Sequence, residues 1–280
     1  MSDNHDTAPN RFIEADGLSY AYRRFGEKDG TPLVLLQHFR GNMDDWDPAI
    51  TNGLAREREV ILFASAGVGL SSGETPDNVA DMSKHLASFV GALDLKEVDL
   101  LGYSLGGFVA QQFALAHPDI VRRLILAGTG PQGGDGMEIF SHEVLRIAVK
   151  DQPVPDDILF IFFQPTESSR DAGKAFLKRL QSRTTEREPR TTLQTRDAQL
   201  KAIQGWGYRD GARFARLKYI RHPAFVVDGI NDTMFPSINS FYLAEHLPNA
   251  HLALYPDSNH GGIMQFADQF VAQADCFLSA

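Results

Sequence analysis

An α/β fold, in which a mostly parallel sheet is covered by helices and split by one helical insertion, follows from three features of the sequence. Strand-like and helix-like segments alternate from about residue 31 to residue 130. Between about 133 and 219 that rhythm stops, and the text becomes helical in period, charged and broken by proline, as in "DQPVPDDILFIFFQP" and "SSRDAGKAFLKRLQSR". From about 220 the alternation returns and runs to the end. Such alternation implies parallel strands joined by helical crossovers.

Residues 1–10 are polar and acidic and read as a flexible leader. "FIEADGLSYAYRRFG" alternates and breaks at Asp16-Gly17, the signature of a hairpin. "TPLVLLQH" and "REVILFAS" are apolar runs of strand length, "NVADMSKHLASFVGALDL" has helical period, "EVDLLGYS" is a strand, "GFVAQQFALAHP" a helix and "VRRLILAGTG" a strand. Beyond the insertion, "HPAFVVDGIND" reads as a strand, "PSINSFYLAEHLPN" as a helix, "AHLALYPDSNH" as a strand and "FADQFVAQADCFL" as a closing helix. The expected organisation is a core of residues 11–132 and 220–280 with a helical cap at 133–219, inserted after the sixth strand. "TTEREPRTT" is a polar loop, and no internal repeat or long low-complexity tract is present.

The 280 residues are 43% apolar and 22% charged, ordinary globular composition that fits one domain with an insertion. Lys plus Arg number 27 against 36 Asp plus Glu, a formal charge of −9 with no basic run, which argues against nucleic acid and anionic membranes as partners. Cys276, the single cysteine, cannot form an internal disulfide and reads as a packed small side chain. No apolar signal core and no run of 18 apolar residues is found, so a soluble, cytoplasmic protein acting on a small molecule is expected, with a homodimer left open.

The stretch with the sharpest chemical content is "GYSLGG", Gly102 to Gly107, between a buried strand and a helix. A chain that turns from strand to helix within one or two residues strains the corner residue and leaves no room for bulk beside it. Gly102, Gly106 and Gly107 meet that demand, and Ser104 takes the corner. The helix start then directs free N–H groups and its positive end at the hydroxyl. A glycine-rich turn alone would read the same way, so partners are needed.

Two further segments supply them. "DGINDTMFP" carries Gly229, Asp232 and Pro236, and "YPDSNHGG" carries His260. With the elbow, these resemble the α/β-hydrolase superfamily over roughly residues 18–132 and 220–278, and the chain order Ser104, Asp232, His260 is that of the family's triad. The resemblance implies a serine nucleophile, a histidine base and an acid that fixes the histidine tautomer. Asp228, at the end of the "AFVV" strand, is the alternative acid, while Asp257 reads as a turn residue. The remaining histidines lack comparable context, and His142-Glu143 has no second histidine at zinc-helix spacing. No metal and no cofactor are expected.

For the oxyanion hole, the residue after the nucleophile, Leu105, should supply one N–H. The family usually takes the other from a His-Gly-X loop, which here reads "LLQHFRGNMDDW". If Gln37-His38 replace His-Gly, Phe39 is the donor; if His38 marks the histidine, Arg40 is. Phe39 is favoured because that register keeps the spacing to Trp46. A second departure is "FASAGVGLSSG", where Ala64 and Ala66 stand in place of an aspartate and an arginine that usually form a structural ion pair.

Serine rather than aspartate at the elbow suits attack on a carbonyl carbon. The implied activity is hydrolysis of a carboxylic ester or lactone, with carbon–carbon hydrolysis of a vinylogous diketone as alternative, and a receptor or a non-hydrolytic biosynthetic enzyme as readings from other classes. Phe162, Phe163 and Trp206 are the candidate substrate-binding residues in the cap, and Arg183, Arg187, Arg190 and Arg196 read as a solvated helix face rather than a clamp. Because the triad and both oxyanion donors lie outside 133–219, the cap is expected to select the substrate without supplying any group for the attack.

Overall fold

The computed structural model describes residues 3–27, 29–209, 212 and 214–280. The chain opens with β1 (Arg11–Ala15) and β2 (Leu18–Gly26), joined as an antiparallel hairpin at Asp16-Gly17, where both residues have positive φ (50° and 77°). There follow β3 (Leu33–Leu36), α1 (Pro48–Leu54), β4 (Glu59–Phe63), α2 (Val79–Ala92), β5 (Val98–Tyr103), α3 (Leu105–Ala116) and β6 (Val121–Ala127). The insertion contributes α4 (His142–Ala148), α5 (Pro155–Phe162), α6 (Glu167–Arg179) and α7 (Leu193–Gly207). Then come β7 (Ala224–Gly229), α8 (Ile238–His246), β8 (Ala250–Tyr255), α9 (Gly262–Gln265) and α10 (Ala267–Ser279).

These strands make one eight-stranded sheet in the order β1-β2-β4-β3-β5-β6-β7-β8, parallel from β4 to β8. Apolar runs at β3, β5 and β7 are buried on both faces, and the period of two divides them between two cores. Val34, Leu100 and Val226 pack with Phe89, Phe108 and Phe113 of α2 and α3 on one side. Leu33, Leu35, Leu101 and Val227 pack with Ile50 of α1 and Phe270 of α10 on the other. The sheet's C-terminal edge is thereby held between two rigid layers, and the loops leaving it are presented together.

The inserted helices begin where the sequence supplies caps. Ser141, Thr166 and Thr192 accept hydrogen bonds from Val144, Ser169 and Thr195 N–H, and Pro155 opens α5. Residues 4–8 differ from the flexible leader that their composition predicts. His5 and Ala8 are buried, and Arg183 Nη1 donates to the carbonyls of His5, Asp6 and Ala8 at 3.2, 3.0 and 2.9 Å. A polar segment needs no apolar content to be anchored when a distant guanidinium satisfies its carbonyls. Among the described residues, no helix is long and apolar enough to cross a membrane.

Candidate active site

β5 ends at Tyr103 and α3 starts at Leu105, so Ser104 alone makes the corner, at φ 56° and ψ −119°. That conformation is unfavourable for a residue with a side chain and is held from both sides. Ser104 N–H donates to Ala127 O (2.9 Å), and Thr129 Oγ1 donates to Ser104 O (2.8 Å). A Cβ on Gly102 would stand 2.5 Å from Gly106 O, and one on Gly106 would stand 2.1 Å from Leu36 O, which explains the small residues around the serine. Although Ser104 is the N-cap of α3, its hydroxyl caps no backbone N–H. Ser104 and His260 both line the same cavity.

His260 follows β8 in a loop tied down at several points. Its N–H donates to Asn259 Oδ1 (2.9 Å), and Tyr103 Oη donates to its carbonyl (2.9 Å). Tyr103 stacks on the imidazole at 5.3 Å between centroids. His260 Nδ1 donates to Asp232 Oδ2 at 2.6 Å, which leaves Nε2 as the acceptor nitrogen. Asp232 Oδ1 also accepts the N–H groups of Met234 (2.7 Å) and Phe235 (3.0 Å).

Burial pushes Asp232 up to about 7 against the stabilising pull of those backbone donors, and pushes His260 down to about 4. The histidine is thus held neutral at rest, the form in which a base can take a proton. Asp228, the alternative acid, adjoins Asp232 and has partners of its own: Oδ1 accepts from Gly229 N–H (2.8 Å) and Oδ2 from Ser240 Oγ (2.8 Å). Burial and the neighbouring Asp232 raise Asp228 well above the usual carboxylate range.

The cavity encloses about 550 Å³. Val154, Ile158, Ile161, Phe162 and Leu177 of the insertion form an apolar wall, joined by Met234 from the core. Its polar lining includes Asp45, Glu188, Arg187 and Arg190. Of the predicted cap contacts only Phe162 is on the cavity. Phe163 is buried in the insertion against Phe176 (5.8 Å), and Trp206 stacks on Phe108 (5.1 Å) while donating to Gly130 O (3.2 Å). The helix period places neighbouring aromatics on different faces, so Phe162 and Phe163 part company. Arg183 is a buried structural residue, not a solvated one, while Arg196 sits among Asp197, Asp151 and Val149 O.

In the loop after β3 the two candidate donors differ in their partners. Arg40 N–H donates to Gln199 Oε1 at 2.7 Å, whereas the Phe39 and Leu105 N–H groups have no protein acceptor among the described residues. His38 Nδ1 donates to Phe39 O (2.8 Å), and its ring lies 5.3 Å from Phe162 and 5.4 Å from Tyr103, on the cavity. In the sequence His38 serves only to set the register; its place on the cavity that Ser104 also lines has no local signal. Ala64 and Ala66, where an ion pair was missing, are buried, and their loop is anchored differently. Ser71 and Thr75 hydroxyls donate to Ala64 O and Ala66 O, while Glu188 accepts from Leu70 N–H (3.1 Å) and Thr195 Oγ1 donates to Gly67 O (2.8 Å).

With this sheet and this elbow, the chain is of the α/β-hydrolase class, and a model of the alpha/beta hydrolase fold matches residues 31–267. The protein belongs to that family and is a hydrolase. Among solved structures, an alpha/beta hydrolase fold protein from Chitinophaga pinensis superposes with a TM-score of 0.94 at 44% identity, covering 99% of this chain and 100% of that one. Serine hydrolase BPHL of Homo sapiens is 24% identical over 95% of this chain and 85% of its own. The pimeloyl-[acyl-carrier protein] methyl ester esterase of Nitrosomonas europaea is 26% identical over 89% of this chain and 95% of its own.

Proposed function

We propose that the protein is a serine hydrolase that cleaves a small-molecule carboxylic ester or lactone through an acyl-enzyme. The observation that carries this reading is the strained Ser104 on a cavity shared with His260, whose Nδ1 is fixed by Asp232. Ser104 Oγ attacks the carbonyl carbon while its proton passes to His260 Nε2. The carbonyl oxygen becomes an oxyanion and accepts from the Phe39 and Leu105 N–H groups. Collapse breaks the acyl C–O bond, and the departing alkoxide takes the proton from His260; in a lactone it stays tethered to the acyl group. A water then repeats the sequence and frees Ser104.

Carbon–carbon hydrolysis draws support from Arg187 and Arg190 on the cavity wall, where a guanidinium could hold an enolate. Against it, both guanidiniums already have partners: Arg190 Nη1 donates to Gln152 Oε1 at 2.6 Å and Arg187 Nη1 to the carbonyls of Leu180 and Arg183 at 3.2 and 3.3 Å, so the ester reading is preferred. A fluorophosphonate probe together with a panel of p-nitrophenyl esters and lactones tests the reading. Rapid labelling with turnover is expected; labelling without turnover on any ester or lactone would point instead to a receptor or to another bond class.

A further inference from the structure

The loop that carries the second oxyanion donor has lost the family's glycine, and its geometry is imposed from outside. Arg40 sits at φ 64°, a left-handed conformation that a side-chain-bearing residue adopts only under constraint. The constraints come from the insertion. Gln199 of α7, 5% exposed, accepts the Arg40 N–H at 2.7 Å, and Thr191 Oγ1 donates to Arg40 O. The Arg40 guanidinium is spent on the carbonyls of Lys150 (2.5 Å) and Asp151 (2.7 Å). On the other side of the same peptide unit, His38 Nδ1 holds Phe39 O at 2.8 Å. The plane between Phe39 and Arg40 is therefore clamped at its carbonyl by His38 and at its N–H by Gln199.

We infer that Gln199 is a positioning residue for the oxyanion hole: by holding the peptide after Phe39, it keeps the Phe39 N–H aimed at the carbonyl oxygen above Ser104. This rests on the hydrolase reading above and assigns the insertion a part in the chemical step. Phe39 has two peptide planes meeting at its Cα, and releasing one lets the other turn. The loop has somewhere to go, because a void of about 40 Å³ lined by Gln37, His38, Gly41 and Gln199 lies beneath it. The direction of the effect follows from where the charge develops. A misaimed N–H costs stabilisation of the oxyanion and leaves ground-state binding in the cavity untouched, since Gln199 is not on the cavity wall.

The test compares wild type, Gln199→Met and Gln199→Glu on one p-nitrophenyl ester, with affinity for a trifluoromethyl ketone of the same acyl group as a second readout. Methionine keeps the length but offers no comparable acceptor, whereas glutamate presents an acceptor oxygen in either protonation state. Gln199→Met is expected to lower kcat by roughly 10- to 100-fold with KM unchanged, and to weaken ketone binding by a similar factor. Gln199→Glu should stay within about threefold of wild type. Should Gln199→Met fail to fold, Gln199→Asn, whose shorter side chain withdraws the acceptor from the Arg40 N–H, is expected to show the same split. Unchanged kcat in a folded variant, or a loss that appears in KM alone, would overturn the inference. Wild-type protein that neither labels with fluorophosphonate nor turns over would overturn the hydrolase reading, and this inference with it.

Discussion

His260 Nδ1 lies 2.6 Å from Asp232 Oδ2, while Asp228, only four positions earlier, is engaged by Gly229 N–H and Ser240 Oγ. The two carboxyl groups share a buried neighbourhood but have different partners, and this separates the expected effects of replacing them. Asp232→Asn removes the acceptor that fixes the His260 tautomer, and turnover should fall by about 10³- to 10⁴-fold with folding preserved. Asp228→Asn leaves the His260–Asp232 contact in place and should change turnover by less than about tenfold. Steady-state rates of both variants decide it; the reverse ranking would move the acid to the end of β7.

Ser104→Ala should abolish probe labelling and reduce ester turnover by several orders of magnitude while circular dichroism stays native. A folded Ser104→Ala protein retaining more than about a tenth of wild-type turnover would rule out the covalent path.

Phe162 and Trp206 should part in their consequences. Phe162→Ala enlarges the cavity and is expected to shift preference toward bulkier acyl groups, mainly through KM, by roughly 1–3 kcal/mol for a methylene-sized change. Trp206→Ala empties a buried position between Phe108 and the insertion. It should cost about 3–5 kcal/mol of stability, read from urea unfolding, with acyl preference preserved in the folded protein.

Glu188 gives a pH signature. Burial raises its carboxyl from 4.5 to about 7, so between those values the native state holds a proton that the unfolded chain has released. Its contribution to stability is therefore fully present below about pH 4.5 and fades as pH rises toward 7 and beyond. Glu188→Gln removes this slope. Relative to wild type, the variant should gain of order 1–3 kcal/mol in unfolding free energy between pH 5 and pH 8. Equal stability differences at both pH values would show that Glu188 is already ionised in the native state.

Much of the core was legible because local sequence dictates local geometry there. The strand runs carry their own period, and Ser104 sits among glycines that only a tight corner requires. Asp232 and His260 follow short strands in loops where chain order identifies them. What was not legible depends on partners far along the chain. Which face of α5 turns to the cavity, and that α7 gives it none, is fixed by packing, so Phe163 and Trp206 look the same in sequence as Phe162. The anchoring of residues 4–8 by Arg183, and of the Arg40 peptide by Gln199, joins positions separated by more than 150 residues with no local mark. The loss of the ion pair at Ala64 and Ala66 was visible; its replacement by Glu188 and Thr195 was not.

The Glu188 carboxylate also accepts the Met43 N–H at 2.6 Å, so one residue of the insertion ties together loops that follow two different strands. A segment bound in this way cannot detach cheaply, because opening it would strand buried amide donors in the sheet domain. The two parts should therefore melt in one cooperative transition, and amide hydrogens in α7 should exchange by the same global opening as those in β5 rather than through the partial opening of a hinged lid. Transplanting the insertion from a relative would then demand that its equivalents of Glu188, Thr195 and Gln199 travel with it, which sets a boundary on how freely such proteins can trade caps.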